Sequence, residues 1–282
     1  MKSAILFGYG NIGKVLTKRI PKEKIDLKYI ANSKGVFDSE LIKQADLENW
    51  KNFTNDIQIV FITIPTMGDG SIAFEYASFF LEKNIPVITC EKASVANNFG
   101  YLNKHKNIFK YTASVGGGTK MLQQLSLFNS EILELKAVVN GTLNFIGDNL
   151  KKGIPEVEIV REILENGYAE PGANTFPEII EGEINDVRLK TVILANSSGI
   201  FERVLTPLDV EINSEDLSKR CIVKISKEGI KAGFLEDNNA DWLPEGVNNV
   251  LYVNGEKLCE GPGAGAVATV ESMLSDFKSF NF

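Results

Sequence analysis

A glycine-rich turn between a short apolar strand and a helix constrains the fold of this chain more than any other feature. The turn reads G-Y-G-N-I-G over residues 8–13, after a strand predicted at Ala4–Phe7. Gly8 permits the tight turn, Gly10 lets a pyrophosphate approach the backbone, and Gly13 lets helix and strand pack closely. The helix N-terminus also favours a negatively charged phosphate. The pattern predicts dinucleotide binding, and the alternative is a glycine turn with a purely structural role.

Strands and helices alternate through the first half of the chain. Strands are predicted at Ile25–Ala31, Ile57–Ile64 and Ile85–Thr89, with a helix at Ile72–Glu82. This alternation is typical of a parallel sheet with right-handed crossovers. We expect a Rossmann-type first domain over residues 1–135, completed by a C-terminal helix within residues 264–282.

The pattern changes from residue 135 onward. A strand is predicted at Leu135–Val139, and helices at Pro155–Asn166 and Glu183–Ser198, each followed by a glycine. Short apolar runs mixed with Gly, Asn and Pro over residues 200–255 indicate antiparallel strands and turns. The predicted fold class is therefore α/β, with a parallel-sheet dinucleotide-binding domain and a smaller α+β domain over residues 136–263.

Composition excludes several classes of protein. A length of 282 residues fits two domains or one large α/β unit. The formal net charge of 30 − 37 = −7 argues against nucleic acid as the main partner. Three cysteines without paired spacing predict neither a disulfide framework nor a zinc site, which favours a reducing cytoplasm. The N-terminal apolar run is too short for a signal peptide, and no stretch is long enough to cross a membrane.

The end of the second predicted strand bears on the choice of cofactor. An acidic residue there would bind the ribose 2′-hydroxyl of NAD, but this segment reads A-N-S-K-G over residues 31–35. Ser33 and Lys34 are able to accept a 2′-phosphate, so the sequence favours NADP(H) over NAD(H). The alternative is that Lys34 is a solvated loop residue, as most lysines are.

A reaction with a nicotinamide cofactor also needs a group that exchanges a proton with the substrate oxygen. The single histidine, His105, lies in a polar, basic stretch typical of solvated surface, so Lys, Tyr or a carboxylate must serve instead. Asp186 and Lys190 are four residues apart and share a helix face, and their spacing alone favours a surface ion pair. Lys92 follows a predicted strand, at the sheet edge where ligands bind.

Four further motifs occur in a fixed order along nearly the whole chain. They read A-S-V-G-G-G over 113–118, V-N-G-T-L-N-F-I over 139–146, G-Y-A-E-P over 167–171, and G-P-G-A-G over 261–265, followed by Ala268-Thr269. With the N-terminal glycine turn and Lys92, this set resembles the homoserine dehydrogenase family. The match is to a short form without an appended regulatory domain.

The resemblance implies an activity and a set of roles. The family reduces L-aspartate 4-semialdehyde to L-homoserine with NAD(P)H, reversibly, in the branch leading to threonine and methionine. By similarity, Lys190 donates the proton, Lys92 lies beside the nicotinamide and the substrate, and Asp186 orients Lys190 or a water. Glu170 is expected to bind the substrate amino group. The other residues expected to line the substrate pocket are Thr142, Tyr168 and Glu181.

The expected ligand sites extend beyond these residues. The cofactor site is expected to comprise Gly8, Tyr9, Gly10, Asn11, Ile12, Gly13, Ser33, Lys34, Ile64, Pro65, Lys92 and Gly265. The resemblance also implies a monovalent cation held by the backbone of Val115, Gly117 and Thr119, although a glycine-rich loop that only needs unusual dihedral angles is an alternative. A homodimer formed through the second domain is expected.

Four departures from the family pattern keep other functions open. Glu91 replaces the usual Asn before Lys92, and Gly172-Ala173 replaces the usual Asp-Pro. An extra residue appears before Asp186, and the segment between Leu194 and Tyr252 is short. One alternative is an oxidoreductase of the same fold that acts on another small polar substrate. A second is a nucleotide-sensing module without turnover, although the retained lysines and carboxylates argue against it.

Overall fold

The chain divides into two compact units. The structure, a computed structural model, describes residues 1–168, 172–237, 240–263 and 265–280. The first unit comprises Met1–Gly117 with Ala264–Phe282, and the second comprises Gly118–Gly263. Residues 118–135 belong to the second unit, whereas the sequence pattern placed them in the first. The reason is a short helix, α4 (Met121–Leu127), which packs against other elements of the second unit.

A seven-stranded sheet forms the centre of the first unit. Its strands are β1 (Lys2–Phe7), β2 (Ile25–Asn32), β3 (Gly35–Asp38), β4 (Lys43–Ala45), β5 (Ile59–Ile62), β6 (Val87–Thr89) and β7 (Phe109–Lys110). The helices are α1 (Asn11–Arg19), α2 (Ser71–Leu81), α3 (Lys92–Leu102) and, at the C-terminal end, α8 (Ala266–Lys278). The strand order is β4-β3-β2-β1-β5-β6-β7. The predicted fold class, a Rossmann-type unit with a smaller second unit, is confirmed.

The sheet is parallel as expected, except at one edge, where the sequence did not predict an added hairpin. Strands β2, β1, β5, β6 and β7 are parallel, but β3 pairs with β2, and β4 with β3, in antiparallel fashion. Strand β3 is four residues long and β4 three, and β4 is polar, so neither has the apolar run that predicts a strand. This hairpin extends the sheet beside the residues that follow β2.

Alternating side chains of β1 supply the core on both faces of the sheet. On one face Ala4 and Leu6 pack in a cluster that includes Leu16 of α1 and Met273 of α8. On the other face the ring of Phe7 stacks on Tyr76 of α2, with 4.0 Å between the ring centroids. Burial on both sides explains why β1 is a continuous apolar run rather than an alternating one.

The second unit is built on a six-stranded sheet. Its strands are β8 (Glu134–Val138), β9 (Ile212–Asn213), β10 (Arg220–Ser226), β11 (Gly229–Leu235), β12 (Asn248–Val253) and β13 (Glu256–Pro262), in the order β13-β12-β8-β10-β11-β9. Its longer helices are α5 (Gly141–Lys151), α6 (Glu156–Asn166) and α7 (Phe176–Ser198). Most neighbouring strands are antiparallel, and β9 pairs with β11 in parallel.

Helix α7 is the longest helix in the described part of the chain. It begins at Phe176, seven residues before the predicted start, because Thr175 and Glu178 form a capping box and a proline occupies its first turn. It ends at Ser198 before Gly199, which has φ of +71°. No helix among the described residues is both long and apolar enough to span a membrane.

Candidate functional site

The glycine turn of the first unit has the geometry that its spacing predicts. Gly8 has φ of +100°, and a Cβ atom there would lie 2.6 Å from the Thr63 carbonyl carbon. A Cβ on Gly13 would lie 2.3 Å from the Gly8 carbonyl oxygen, so only glycine lets α1 pack this closely on the turn. By contrast, apart from its neighbours along the chain, no described atom lies within 4 Å of a Cβ built on Gly10. The backbone at Gly10 is therefore open to a ligand.

A cleft of about 710 Å³ lies at this turn in the first unit. Of the residues expected to bind the cofactor, those that line it are Gly8, Tyr9, Gly10, Ser33, Lys34, Ile64 and Pro65. Those that do not are Asn11, Ile12, Gly13, Lys92 and Gly265. The lining thus joins the glycine turn to the residues after β2 and β5, at the carboxyl edge of the sheet where ligands of such folds bind.

The turn after β2 presents polar groups and a cation to this cleft. The Asn32 side-chain oxygen accepts a hydrogen bond from the backbone N–H of Lys34 at 2.8 Å, which fixes the turn between β2 and β3. Ser33 and Lys34 are exposed and line the cleft. This segment therefore offers a hydroxyl and an ammonium group to an anion.

Glu91 lies at the start of α3 and also lines the cleft. Its two carboxylate oxygens accept hydrogen bonds from the backbone N–H groups of Ala93 and Ser94, each at 2.7 Å, and Glu91 is 1% exposed. Glu91 is therefore the N-cap of α3, where a negative charge is favourable. The next residue, Lys92, begins the helix, and its backbone N–H lies 3.4 Å from the Thr66 hydroxyl.

The second unit contains a buried ionic cluster on one face of α7. The Lys190 Nζ lies 2.6 Å from Asp186 Oδ2, and the side chains are 12% and 5% exposed. The same ammonium group donates to the main-chain carbonyl of Val139 at 2.9 Å. The interpretation of Asp186 and Lys190 as a surface pair is therefore wrong, because the end of β8 covers this face of the helix.

Asn140 and Glu183 complete this cluster, and neither was identified from the sequence. The Asn140 Nδ2 donates to Glu183 Oε2 at 2.6 Å and to Asp186 Oδ2 at 3.0 Å. Its Oδ1 accepts the backbone N–H of Leu143, which makes Asn140 the N-cap of α5. An Asn before an apolar helical run is a recognisable N-cap signal, but its second set of partners comes from tertiary packing.

The cluster lies in surroundings that disfavour charge. Burial raises the pKa of the neighbouring Cys221 thiol to about 12, and the charge of Asp186 adds to this shift. Cys221 is on β10, whose backbone is fixed by the Asn144 amide through two hydrogen bonds of 2.7 and 3.3 Å. Cys221 and Asn144 are 2% and 0% exposed, so solvent has little access beneath α7, and electrostatic interactions there are stronger than at the surface.

The other expected substrate residues differ in where they lie. The Thr142 hydroxyl donates to the Tyr168 carbonyl at 2.9 Å, which ties the first turn of α5 to the segment after α6. Glu181 is exposed and lies five residues before Asp186, so the structure does not bring it into the cluster. Glu183, at the correct helical spacing, occupies that face instead. Glu170 lies outside the described residues.

The glycine-rich loop near the unit boundary contains the residues expected to bind a cation. Val115 is fully buried, and the Gly117 carbonyl accepts a 2.6 Å hydrogen bond from the Ser272 hydroxyl of α8. Thr119 is 7% exposed. His105 lies elsewhere, in a short turn after α3, where its ring packs against Tyr101.

Two features define the class of this protein. The first unit is of Rossmann type with an open glycine turn, and the second unit buries a lysine among carboxylates. This combination is typical of the two-unit α/β dinucleotide-binding proteins. A family model of homoserine dehydrogenase matches residues 119–277, which is more than half of the 282 residues. The chain belongs to the homoserine dehydrogenase family.

Individual relatives agree with this assignment. A homoserine dehydrogenase from Sulfurisphaera tokodaii is 24% identical over 310 residues, covering 96% of each chain. An NAD(+)-dependent homoserine dehydrogenase from Pseudomonas canavaninivorans is 27% identical over 74% of this chain and 66% of its own length. The solved structure of a hyperthermophilic archaeal homoserine dehydrogenase in complex with NADPH has a TM-score of 0.73 at 20% identity, covering 99% of this chain and 98% of that one.

Proposed function

We propose that this chain interconverts L-aspartate 4-semialdehyde and L-homoserine with a nicotinamide dinucleotide, in the branch leading to threonine and methionine. The observation that carries the proposal is the buried Lys190–Asp186 pair in a member of the homoserine dehydrogenase family. The pair places an ammonium donor in a largely dry site, where a carbonyl oxygen that gains negative charge during reduction needs a proton.

The cofactor binds in the cleft of the first unit, where the open backbone at Gly10 fits a pyrophosphate. When bound, the nicotinamide supplies or accepts the hydride. Ser33 and Lys34 favour NADP(H), because the turn after β2 carries no acid and presents a cation. One relative is described with NADPH and another as NAD(+)-dependent, so both cofactors occur among similar proteins.

Lys190 acts as the general acid in reduction and as the general base in the reverse direction. Its ammonium group donates one proton to the substrate oxygen, while Asp186 and the Val139 carbonyl hold it in place. Lys92 acts beside the substrate and the nicotinamide, and Glu170 binds the substrate ammonium group. Thr142 and Tyr168 shape the pocket around that substrate.

We further propose that the protein is a cytoplasmic homodimer that associates through the second unit. Light scattering of the purified protein tests the dimer. A monovalent cation is proposed at the backbone of Val115, Gly117 and Thr119. Activity measured in K⁺, Na⁺ and tetramethylammonium chloride at equal ionic strength tests the cation, because only a specific site distinguishes these salts.

The direct test is turnover by the purified protein with L-homoserine and either NADP⁺ or NAD⁺ at mildly alkaline pH. Formation of the reduced cofactor, with loss of activity in K190A, supports the proposal. No turnover by protein with a native circular dichroism spectrum refutes it. Because Glu91 departs from the family pattern in the cofactor cleft, a panel of other small hydroxy amino acids tests the alternative substrate class.

A further inference from the structure

We propose that Asn140 is a positioning residue for Lys190, acting through Asp186 and Glu183. The proposal rests on the proposed function, since it assigns to Asn140 the task of holding the acid group of that reaction. Its basis is that the single amide group of Asn140 bridges both buried carboxylates of α7, at 2.6 and 3.0 Å.

The chemistry of its neighbours fixes the orientation of the Asn140 amide. The N–H of Leu143 needs an acceptor, and it lies 2.9 Å from Oδ1. The two carboxylates need donors, and both lie within hydrogen-bonding distance of Nδ2. Exchanging the oxygen and nitrogen would place an acceptor against two carboxylates and a donor against an N–H group. One side chain therefore caps α5 and binds α7 at once.

The amide matters because, within the described part of the chain, the cluster brings two carboxylates together with one ammonium group. Glu183 and Asp186 lie three residues apart on one helix face and are 4% and 5% exposed. The repulsion between these two buried carboxylates is reduced when each accepts a hydrogen bond from the Asn140 amide. Asp186 Oδ2 accepts from both Asn140 and Lys190, so the amide sets the position of the oxygen that holds the ammonium group.

The segment after β8 thus controls Lys190 at two points. The Val139 carbonyl accepts from Nζ directly, and the next residue, Asn140, holds Asp186. The backbone of Asn140 is itself supported, because the Asn144 amide donates to its carbonyl at 3.2 Å. Loss of the Asn140 amide releases Asp186 to rotate, and misplacement of an acid group by about 1 Å costs on the order of 100-fold in rate.

The main test compares N140S with N149S. Serine is as good an N-cap as asparagine, so N140S keeps the cap of α5 but loses the amide donors. Asn149 is a buried residue of the same helix whose amide donates to the Phe145 carbonyl, away from the cluster. We expect N140S to lose kcat by about 10- to 100-fold with an unchanged KM for the cofactor and an altered pH profile. N149S should keep kcat and its pH profile.

A reversed pair tests the bridge itself. N140D places a third carboxylate beside Glu183 and Asp186, and we expect it to be less active than N140S. The double variant N140D/E183Q restores a donor and an acceptor between positions 140 and 183 and keeps the charge of the cluster, although Asp186 still faces a carboxylate, so the pair tests the contact between these two positions. Higher activity in N140D/E183Q than in N140D supports the bridge. Equal activity in the two variants contradicts it.

The outcomes separate this proposal from the proposed function. An active wild type with an N140S variant of unchanged kcat and pH profile would show that Asn140 is only a helix cap. If the wild type acts on no semialdehyde, a crystal structure of N140S still decides. A Lys190 Nζ to Asp186 Oδ2 distance beyond about 3.5 Å supports the positioning role, and an unchanged distance overturns it.

Discussion

Lys190 and Asp186, one turn apart on α7, form an ion pair of 2.6 Å that the end of β8 buries. A buried pair differs from an exposed one because removal of one partner leaves a charge without its counter-ion in a dry environment. The same two residues therefore bear on both catalysis and stability.

Replacing Lys190 by Ala should abolish turnover and also destabilise the protein by about 3 kcal/mol, since Asp186 stays buried without its ammonium partner. Urea unfolding measures the second effect. The double variant D186N/K190M removes both charges, and we expect it to be more stable than K190A while remaining inactive. The single variants D186N and K190M complete the cycle, and a loss of stability in D186N/K190M equal to the sum of their losses would contradict a coupled pair.

Gly10 and Gly13 should respond differently to alanine. G13A forces a Cβ against the Gly8 carbonyl, so we expect a loss of about 2 kcal/mol in unfolding free energy. G10A adds a methyl group in open space, and its stability should change by less than about 0.5 kcal/mol. Cofactor binding by G10A should nevertheless weaken at least about tenfold, as measured by NADPH fluorescence, because the methyl group occupies the path of the pyrophosphate. Unchanged NADPH affinity in G10A would place the cofactor elsewhere.

Removal of the Lys34 charge should lower the affinity for NADPH and leave that for NADH nearly unchanged. We expect K34A to weaken NADPH binding by roughly tenfold, equivalent to about 1.4 kcal/mol, in low salt. Lys18 is also exposed but does not line the cleft, so K18A matches the change in net charge. Equal losses for NADPH and NADH in K34A would mean that Lys34 does not contact a 2′-phosphate.

Stability should depend on pH through Asp276. Burial raises the pKa of this carboxyl to about 6, although hydrogen bonds from the Thr112 hydroxyl and N–H oppose the shift. Unfolded, the group ionises near pH 3.9, so between these values the folded state holds a proton that the unfolded state has lost. The free energy of unfolding should therefore fall as pH rises from about 4 to about 6, by as much as about 3 kcal/mol.

The variant D276N lacks this ionisation and should not show that part of the slope. Urea unfolding between pH 4 and 7 measures it for wild type and variant. E271Q, which removes an exposed carboxylate from the same helix, is the matched control. Parallel pH curves for wild type and D276N would contradict the prediction.

The sequence predicts those parts of the fold that depend on local chemistry. The turn at Gly8 is predictable because few residues other than glycine adopt its backbone conformation. Strand β1 is predictable because a short apolar run followed by a glycine turn is typical of a buried strand. The β3–β4 hairpin was not predictable, since its stability comes from pairing with β2 rather than from apolar residues of its own.

The ionic cluster shows where residue spacing stops being informative. Four-residue spacing places Asp186 and Lys190 on one face of α7, but it is identical for exposed and buried pairs. The pair is buried because Val139 and Asn140, which directly follow β8 more than forty residues earlier in the chain, contact that face of α7. For the same reason Glu183 rather than Glu181 joins the cluster. The family resemblance supplied roles for these residues, which remain predictions.

The first unit takes its core from two distant stretches of chain, since Val270 and Met273 of α8 pack with Leu16 of α1 and Phe61 of β5. During translation, α8 is synthesised only after every residue of the second unit. Until α8 is made, the α1 side of the sheet lacks the apolar side chains that α8 contributes, while residues 118–263 are free to fold as a continuous stretch. We expect a chaperone that binds apolar surface on nascent chains to stay bound longest on the α1 side of that sheet.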